Sequence, residues 1–169
     1  MLLKSDLMEW RRAMCLICDR IEMIKKIKNN QNKFFVKELR TGYVVLGDNQ
    51  HFKGYTLFLY KKHKNELYEL DSTEKQSFLE EMSLVGEAVS KSFECEKMNY
   101  ELLGNGDSHL HWHLFPRVSG DLEEYGYHGK GPVWWYPREK MYSAENVLND
   151  KEIEELKQKL KIELDQMYK

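Results

Sequence analysis

Apolar and polar residues change period several times along the 169-residue chain, and each change marks an element. Leu7, Trp10, Met14, Ile17, Ile21 and Ile24 recur at helical spacing, with Ser5 or Asp6 placed to cap them. The first thirty residues therefore read as a helix, ended by the turn-prone Asn29 to Asn32. Phe34 to Leu39 and Tyr43 to Leu46 are rich in β-formers and flank Arg40-Thr41-Gly42, which predicts a hairpin. After the turn Gly47 to Gln50, Tyr55 to Tyr60 predicts a third strand. The helical period returns at Phe78, Met82, Val85, Val89 and Phe93, behind an Asp71-Ser-Thr-Glu74 start that fits a capped helix. Met98 to Leu103 predicts a fourth strand, followed by the polar turn Gly104 to Ser108.

His109-Leu-His-Trp-His-Leu-Phe-Pro-Arg117 alternates strictly. Period two puts His109, His111 and His113 on one face of a fifth strand, with Leu110, Trp112 and Leu114 packed behind. Pro116 lacks a backbone N–H and is expected to stop the ladder. The short turn between the fourth and fifth strands predicts an antiparallel pair. Residues 118–148 are irregular and aromatic, including Tyr125, Tyr127, Trp134, Trp135, Tyr136 and Tyr142. A last amphipathic helix over 149–169 carries Ile153, Leu156, Leu160, Leu164 and Met167 behind Asn149 and Glu152. Five antiparallel strands with flanking helices make an α+β fold in a single domain over residues 1–169.

Composition narrows the function classes. The net charge is −2 with acidic and basic residues well mixed, which argues against the basic stripe of a nucleic-acid binder. No apolar run approaches the ~20 residues needed to cross a membrane. Asp6, Glu9, Arg11 and Arg12 break the N-terminus, so it does not read as a signal peptide. Three cysteines, two of them in Cys15-Leu-Ile-Cys18, suit a reducing cytosol better than a disulfide scaffold. A cytoplasmic location is the expectation.

Three imidazoles on one strand face leave three chemistries open. They could hold a catalytic zinc ion, supply a histidine nucleophile to a phosphoryl group, or form a binding site without turnover. The order of the other motifs bears on this choice: Cys-x-x-Cys, then Asp48, then Lys62-His63, then a Gly-Asn-Gly-Asp-Ser turn against the three histidines. Taken together, the chain resembles the histidine triad (HIT) family of nucleotide hydrolases and transferases. The family signature, three histidines alternating with apolar residues and followed by two more, matches His109 through Phe115 at every position. The resemblance runs from about Cys15 to Arg117 and implies a HIT-like fold.

What the resemblance implies is carried residue by residue. His111 corresponds to the nucleophile that attacks a nucleoside α-phosphate, giving a nucleotidyl-histidine intermediate that water hydrolyses. His113 would contact the phosphoryl oxygens, Asn105 and Ser108 would donate to the phosphate, and Asp48 would hold the ribose hydroxyls. Cys15, Cys18, His63 and His109 correspond to the four ligands of a structural zinc ion, so no catalytic cofactor is required. The resemblance also implies a nucleotide substrate, with a dinucleoside polyphosphate such as diadenosine tetraphosphate as one candidate, and a homodimer. A nucleotide sensor with little turnover is the alternative, as is a three-histidine zinc hydrolase.

The chain departs from the family pattern in two places. Many members have Gly-His where this chain has Gly54-Tyr55, so the support of the site must differ, and the turn before the triad is shorter than is common in the family. His51 reads as a surface histidine, Cys95 as a buried apolar residue, and Gly131 to Trp135 as core packing.

Overall fold

The computed structural model describes Ile17, Cys18, Glu22 and residues 32–122 and 132–168. Five strands, β1 (Phe35–Glu38), β2 (Gly42–Leu46), β3 (Thr56–Tyr60), β4 (Lys97–Glu101) and β5 (His111–Arg117), form one sheet in the order β1-β2-β3-β5-β4. Every neighbouring pair is antiparallel, and β4 and β5 pair across the turn between them. The helices are α1 (Ser72–Phe93), the short α2 (Arg138–Met141) and α3 (Asp150–Met167). This is the expected α+β architecture. Most of the predicted N-terminal helix, with Cys15, lies outside the described residues; Ile17, Cys18 and Glu22 are helical.

Both long helices begin where the sequence places their caps. The Asp71 side chain accepts from the Glu74 backbone N–H at 2.9 Å. Asn149 and Glu152 close a reciprocal capping box at the start of α3. Each such cap contributes on the order of 1 kcal/mol. The helices then cover one face of the sheet. Phe78, Val85 and Val89 of α1 and Ile153, Leu156, Leu160 and Leu164 of α3 pack against Val44, Leu46, Phe58, Tyr60 and Leu114. Truncating one of these, such as Leu160, would cost roughly 2–5 kcal/mol.

A buried carboxylate ties this layer together. Glu81 accepts from the backbone N–H groups of Arg40 and Thr41, at 3.0 and 2.9 Å, and from the hydroxyls of Thr41 and Tyr168. The turn of the first hairpin, α1 and the C-terminal end are thus joined at one acceptor that nothing in the periodicity announces.

Two expectations about the fifth strand need correction. His109 lies ahead of β5, which begins at His111. Pro116 does not end the strand: pairing with β3 stops at Thr56↔Leu114, whereas pairing with β4 continues through Met98↔Pro116 and Lys97↔Arg117. A missing N–H matters only on the side where a partner would accept from it, and β3 does not extend that far.

The opposite sheet face carries Tyr43, Val45, Leu57, Leu59, His111, His113 and Phe115. It is covered by Ile17 on one side and by the segment from Val133 to Met141 on the other.

Candidate active site

His111 and His113 stand side by side on β5, and the backbone assigns their protons. His111 Nδ1 lies 2.5 Å from the carbonyl oxygen of His109. A carbonyl only accepts, so Nδ1 carries the proton, and in the neutral form of the ring Nε2 keeps its lone pair. His113 Nε2 sits 2.9 Å from that nitrogen and donates to it when the His111 ring is neutral. That leaves His113 Nδ1 as an acceptor, and the Tyr55 hydroxyl donates to it at 2.6 Å. Burial, and then the neighbouring His111, push the His113 imidazole down to about 3, so it is neutral at pH 7 and the pattern of donors is self-consistent.

Tyr55 occupies the position where the sequence departs from the family's Gly-His. Glycines at 54 and 47 shape its surroundings, the first by making room for Phe93 and the second for Tyr55. Gly54 has φ +91, and a Cβ there would fall 2.1 Å from the Phe93 ring. A Cβ on Gly47 would fall 2.2 Å from the Tyr55 ring itself. Tyr55 stacks on Phe115 with centroids 4.3 Å apart, which fixes its hydroxyl toward His113.

Glu101 is the cross-strand partner of His113. Its carboxylate accepts from the Val133 N–H at 2.7 Å and holds the Val133–Trp135 turn over the site, while burial raises its pKa. Val133 is buried, as core packing requires. Trp134, however, also meets the His113 ring edge-on at 5.3 Å and lines the cavity in front of it.

Two cavities open on the histidine pair. One, of about 280 Å³, is lined by Gly47, Asp48, Asn49, Tyr55, Leu57 and Trp134, among others. The other, of about 480 Å³, reaches the Leu103–Asp107 turn and Arg138. Asp48 thus lines the first cavity and Asn105 the second. Ser108 is exposed and lines neither; Asp107, one residue earlier, lines both. Sequence reasoning missed Tyr55, Asp107, Arg138 and Tyr142. The i, i+4 spacing of Arg138 and Tyr142, which puts them on one side of a helical turn, was the available signal.

A second cluster lies beside the first and shares no side chain with it. Ligand atoms of Cys18, His63 and His109 all lie within 4.8 Å of one another. Cys18 Sγ is 3.1 Å from His63 Nδ1 and 3.3 Å from His109 Nδ1. His109 is almost wholly buried and turns its Nε2 to the Tyr60 carbonyl at 2.7 Å, so Nε2 is the protonated nitrogen and Nδ1 faces the thiol. Burial lowers the His109 pKa to about 4, which keeps that nitrogen available as a ligand. The three triad imidazoles therefore do not converge on one point, and a three-histidine metal centre is not what the fold assembles.

His51 and Cys95 differ from their sequence reading. His51 is half-buried, donating from Nε2 to the Asp121 carbonyl at 3.0 Å and packing on Phe52 and Tyr136. Cys95 is half-buried just beyond α1, with its sulfur 3.2 Å from Ser90 Oγ. Among the described residues no helix is long and apolar enough to cross a membrane.

The HIT domain family matches residues 25–120. A histidine triad protein from Marinobacter aquaeolei is 26% identical, with TM-score 0.63, over 79% of this chain and 89% of that one. One from Sinorhizobium meliloti is 19% identical, with TM-score 0.66, over 90% of this chain and 98% of that one. A zinc-bound histidine triad family protein from Mycobacterium smegmatis is 15% identical, with TM-score 0.60, over 92% and 96%. No curated protein matches the sequence significantly. With five antiparallel strands, flanking helices and more than half its length matched, the chain belongs to the HIT domain family.

Proposed function

We propose that the protein is a nucleotide hydrolase or nucleotidyl transferase that cleaves a phosphoanhydride or phosphoramidate at a nucleoside α-phosphate. The observation that carries this reading is the setting of His111: its Nδ1–H is held by a carbonyl, its Nε2 meets His113 Nε2 at 2.9 Å, and both rings line the two cavities. The neutral form of an imidazole fixed in this way is a nucleophile.

In this mechanism Nε2 forms a bond to the α-phosphorus, and the bond to the leaving group breaks with its electron pair on the departing atom. Substrate displaces the His113 N–H from the His111 nitrogen, and that donor turns to a phosphoryl oxygen as charge develops there. Water then attacks phosphorus, the P–N bond returns its pair to Nε2, and the water proton is released. Another acceptor in place of water makes the same site a transferase. Asp48, exposed on the wall of the first cavity, is suited to bind ribose hydroxyls, and Asn105 is suited to donate to phosphate.

Cys18, His63 and His109, with Cys15, are proposed to hold a structural zinc ion. Two thiolates and two imidazoles fit zinc, and the carbonyl on His109 Nε2 is the kind of outer partner that orients a histidine ligand. Such an ion would tie the N-terminal segment to β3 and β5 and take no part in the chemistry.

The test is hydrolysis of nucleoside phosphoramidates and dinucleoside polyphosphates in ¹⁸O-labelled water. Label in the nucleoside monophosphate product is expected. Label only in the leaving phosphate, or no turnover of any substrate, would overturn the proposal.

A further inference from the structure

The two cavities that meet at the histidine pair carry different charges. Trp134, Tyr142 and Asp107 line both. Asp48 lines only the first, and Arg138 only the second. A carboxylate therefore marks one side of the nucleophile and a guanidinium the other.

Arg138 is held in a definite direction. Its guanidinium lies over the Tyr142 ring at 5.7 Å. Tyr142 stacks on Trp134 with centroids 6.3 Å apart and planes at 27°. Trp134 in turn meets His113 edge-on. This row of rings runs outward from the reacting pair and ends on the cation. A guanidinium over a ring makes no hydrogen bond to it, so its N–H groups stay available to an acceptor. Among the described residues no carboxylate pairs with Arg138 in an ion pair. A guanidinium that shares a reactive cavity with Asp107 but has no ion-pair partner among the described residues is suited to receive an oxyanion.

Resting on the reading of His111 as nucleophile toward an α-phosphate, we propose that the second cavity is the leaving-group subsite. Arg138 there favours a leaving group that departs as an oligophosphate over one that departs as an amine. When the Nε2–P bond forms and a phosphoanhydride breaks, the electron pair stays on the bridging oxygen, and the departing oligophosphate gains negative charge beside Arg138. When a phosphoramidate breaks, the nitrogen keeps the electron pair, takes one proton from water and departs as a neutral amine, which gains nothing from Arg138. Asp107 belongs to both cavities and so does not separate the two. The substrate class this selects is a nucleoside joined through its α-phosphate to a further chain of phosphates, a second nucleotide included.

The experiment compares kcat/KM for diadenosine tetraphosphate and for an adenosine 5′-alkylphosphoramidate in wild type, Arg138→Gln, Arg138→Glu and Arg138→Lys. The ratio of the two should fall about 10- to 100-fold in Arg138→Gln, the range for losing one charge-assisted hydrogen bond. It should fall further in Arg138→Glu and be partly restored in Arg138→Lys. Inorganic triphosphate should also bind the inactive His111→Ala protein more weakly when Arg138→Gln is added. An unchanged ratio with unchanged triphosphate binding would overturn the subsite. Turnover surviving in His111→Ala would instead overturn the nucleophile, whatever Arg138 does.

Discussion

His109 and His111 are two residues apart, and each gives one ring nitrogen to a backbone carbonyl, but they give different nitrogens. His109 donates from Nε2 to Tyr60, so its Nδ1 is left facing a thiol and a third imidazole. His111 donates from Nδ1 to His109, so its Nε2 is left for His113 and for the cavities that both rings line. Residue type and burial are nearly the same in the two cases. What differs is the nitrogen each carbonyl takes, and with it the lone pair each ring keeps. One ring nitrogen faces the ligand atoms of Cys18 and His63, and the other meets His113 beside the cavities a substrate can fill.

If this division is right, the two clusters should fail in different ways. The largest effect is expected from His111→Ala, which should lower kcat by at least about 10⁴-fold, as loss of a nucleophile does, with melting temperature and metal content nearly unchanged. Steady-state kinetics beside calorimetric melting would show it. Cys18→Ala should do the reverse, lowering metal content and costing on the order of 3 kcal/mol of stability, read by metal analysis and denaturant melts. Wild-type metal content and melting in that variant would remove the structural-site half of the comparison.

Acid should expose the buried pair. The His113 pKa of about 3 lies below the 6.5 of an unfolded histidine, so the unfolded chain binds the extra proton first. Stability is therefore whole above about pH 6.5 and declines as pH falls toward 3, by up to about 1.4 kcal/mol per pH unit for this group. Denaturant melts of His113→Asn should decline less steeply than wild type between pH 6.5 and 5. Parallel declines would mean that His113 is not buried as a neutral ring.

The smallest effect concerns Tyr55→Phe. It removes one hydroxyl and leaves His113 Nδ1 without its donor, which should cost about 1–3 kcal/mol of stability and roughly tenfold in kcat. Tyr55→His, which restores a donor, should recover part of both.

The sheet and its two capped helices were legible because each strand alternates toward a covered face and each cap is a local motif. The limits of that legibility follow from the same physics. Alternation continues past the end of a strand, so the pattern could not show that His109 lies ahead of β5 and turns its ring to another cluster. A proline lacks a donor in one direction only, and strand order, which decides whether that direction matters, is not local. The triad histidines were visible as chemistry, and Gly54-Tyr55 was visible as a departure. That Tyr55 donates to His113 depends on the space left by Gly47 and on stacking against Phe115, residues far apart in sequence. Arg138 and Tyr142 lie in an irregular segment where their i, i+4 spacing is the one local cue, and their place beside the histidines comes only from the fold.

The most direct test traps the intermediate. Protein turning over an isotopically labelled dinucleotide would be quenched in less than one turnover time, digested, and the modified peptide mapped by mass spectrometry. ¹⁵N–³¹P coupling would then identify the nitrogen bonded to phosphorus. One nucleotidyl group per chain, bonded to Nε2 of His111, is expected. A group on His109 or His113, a bond to Nδ1, or turnover with no adduct at any quench time would contradict it.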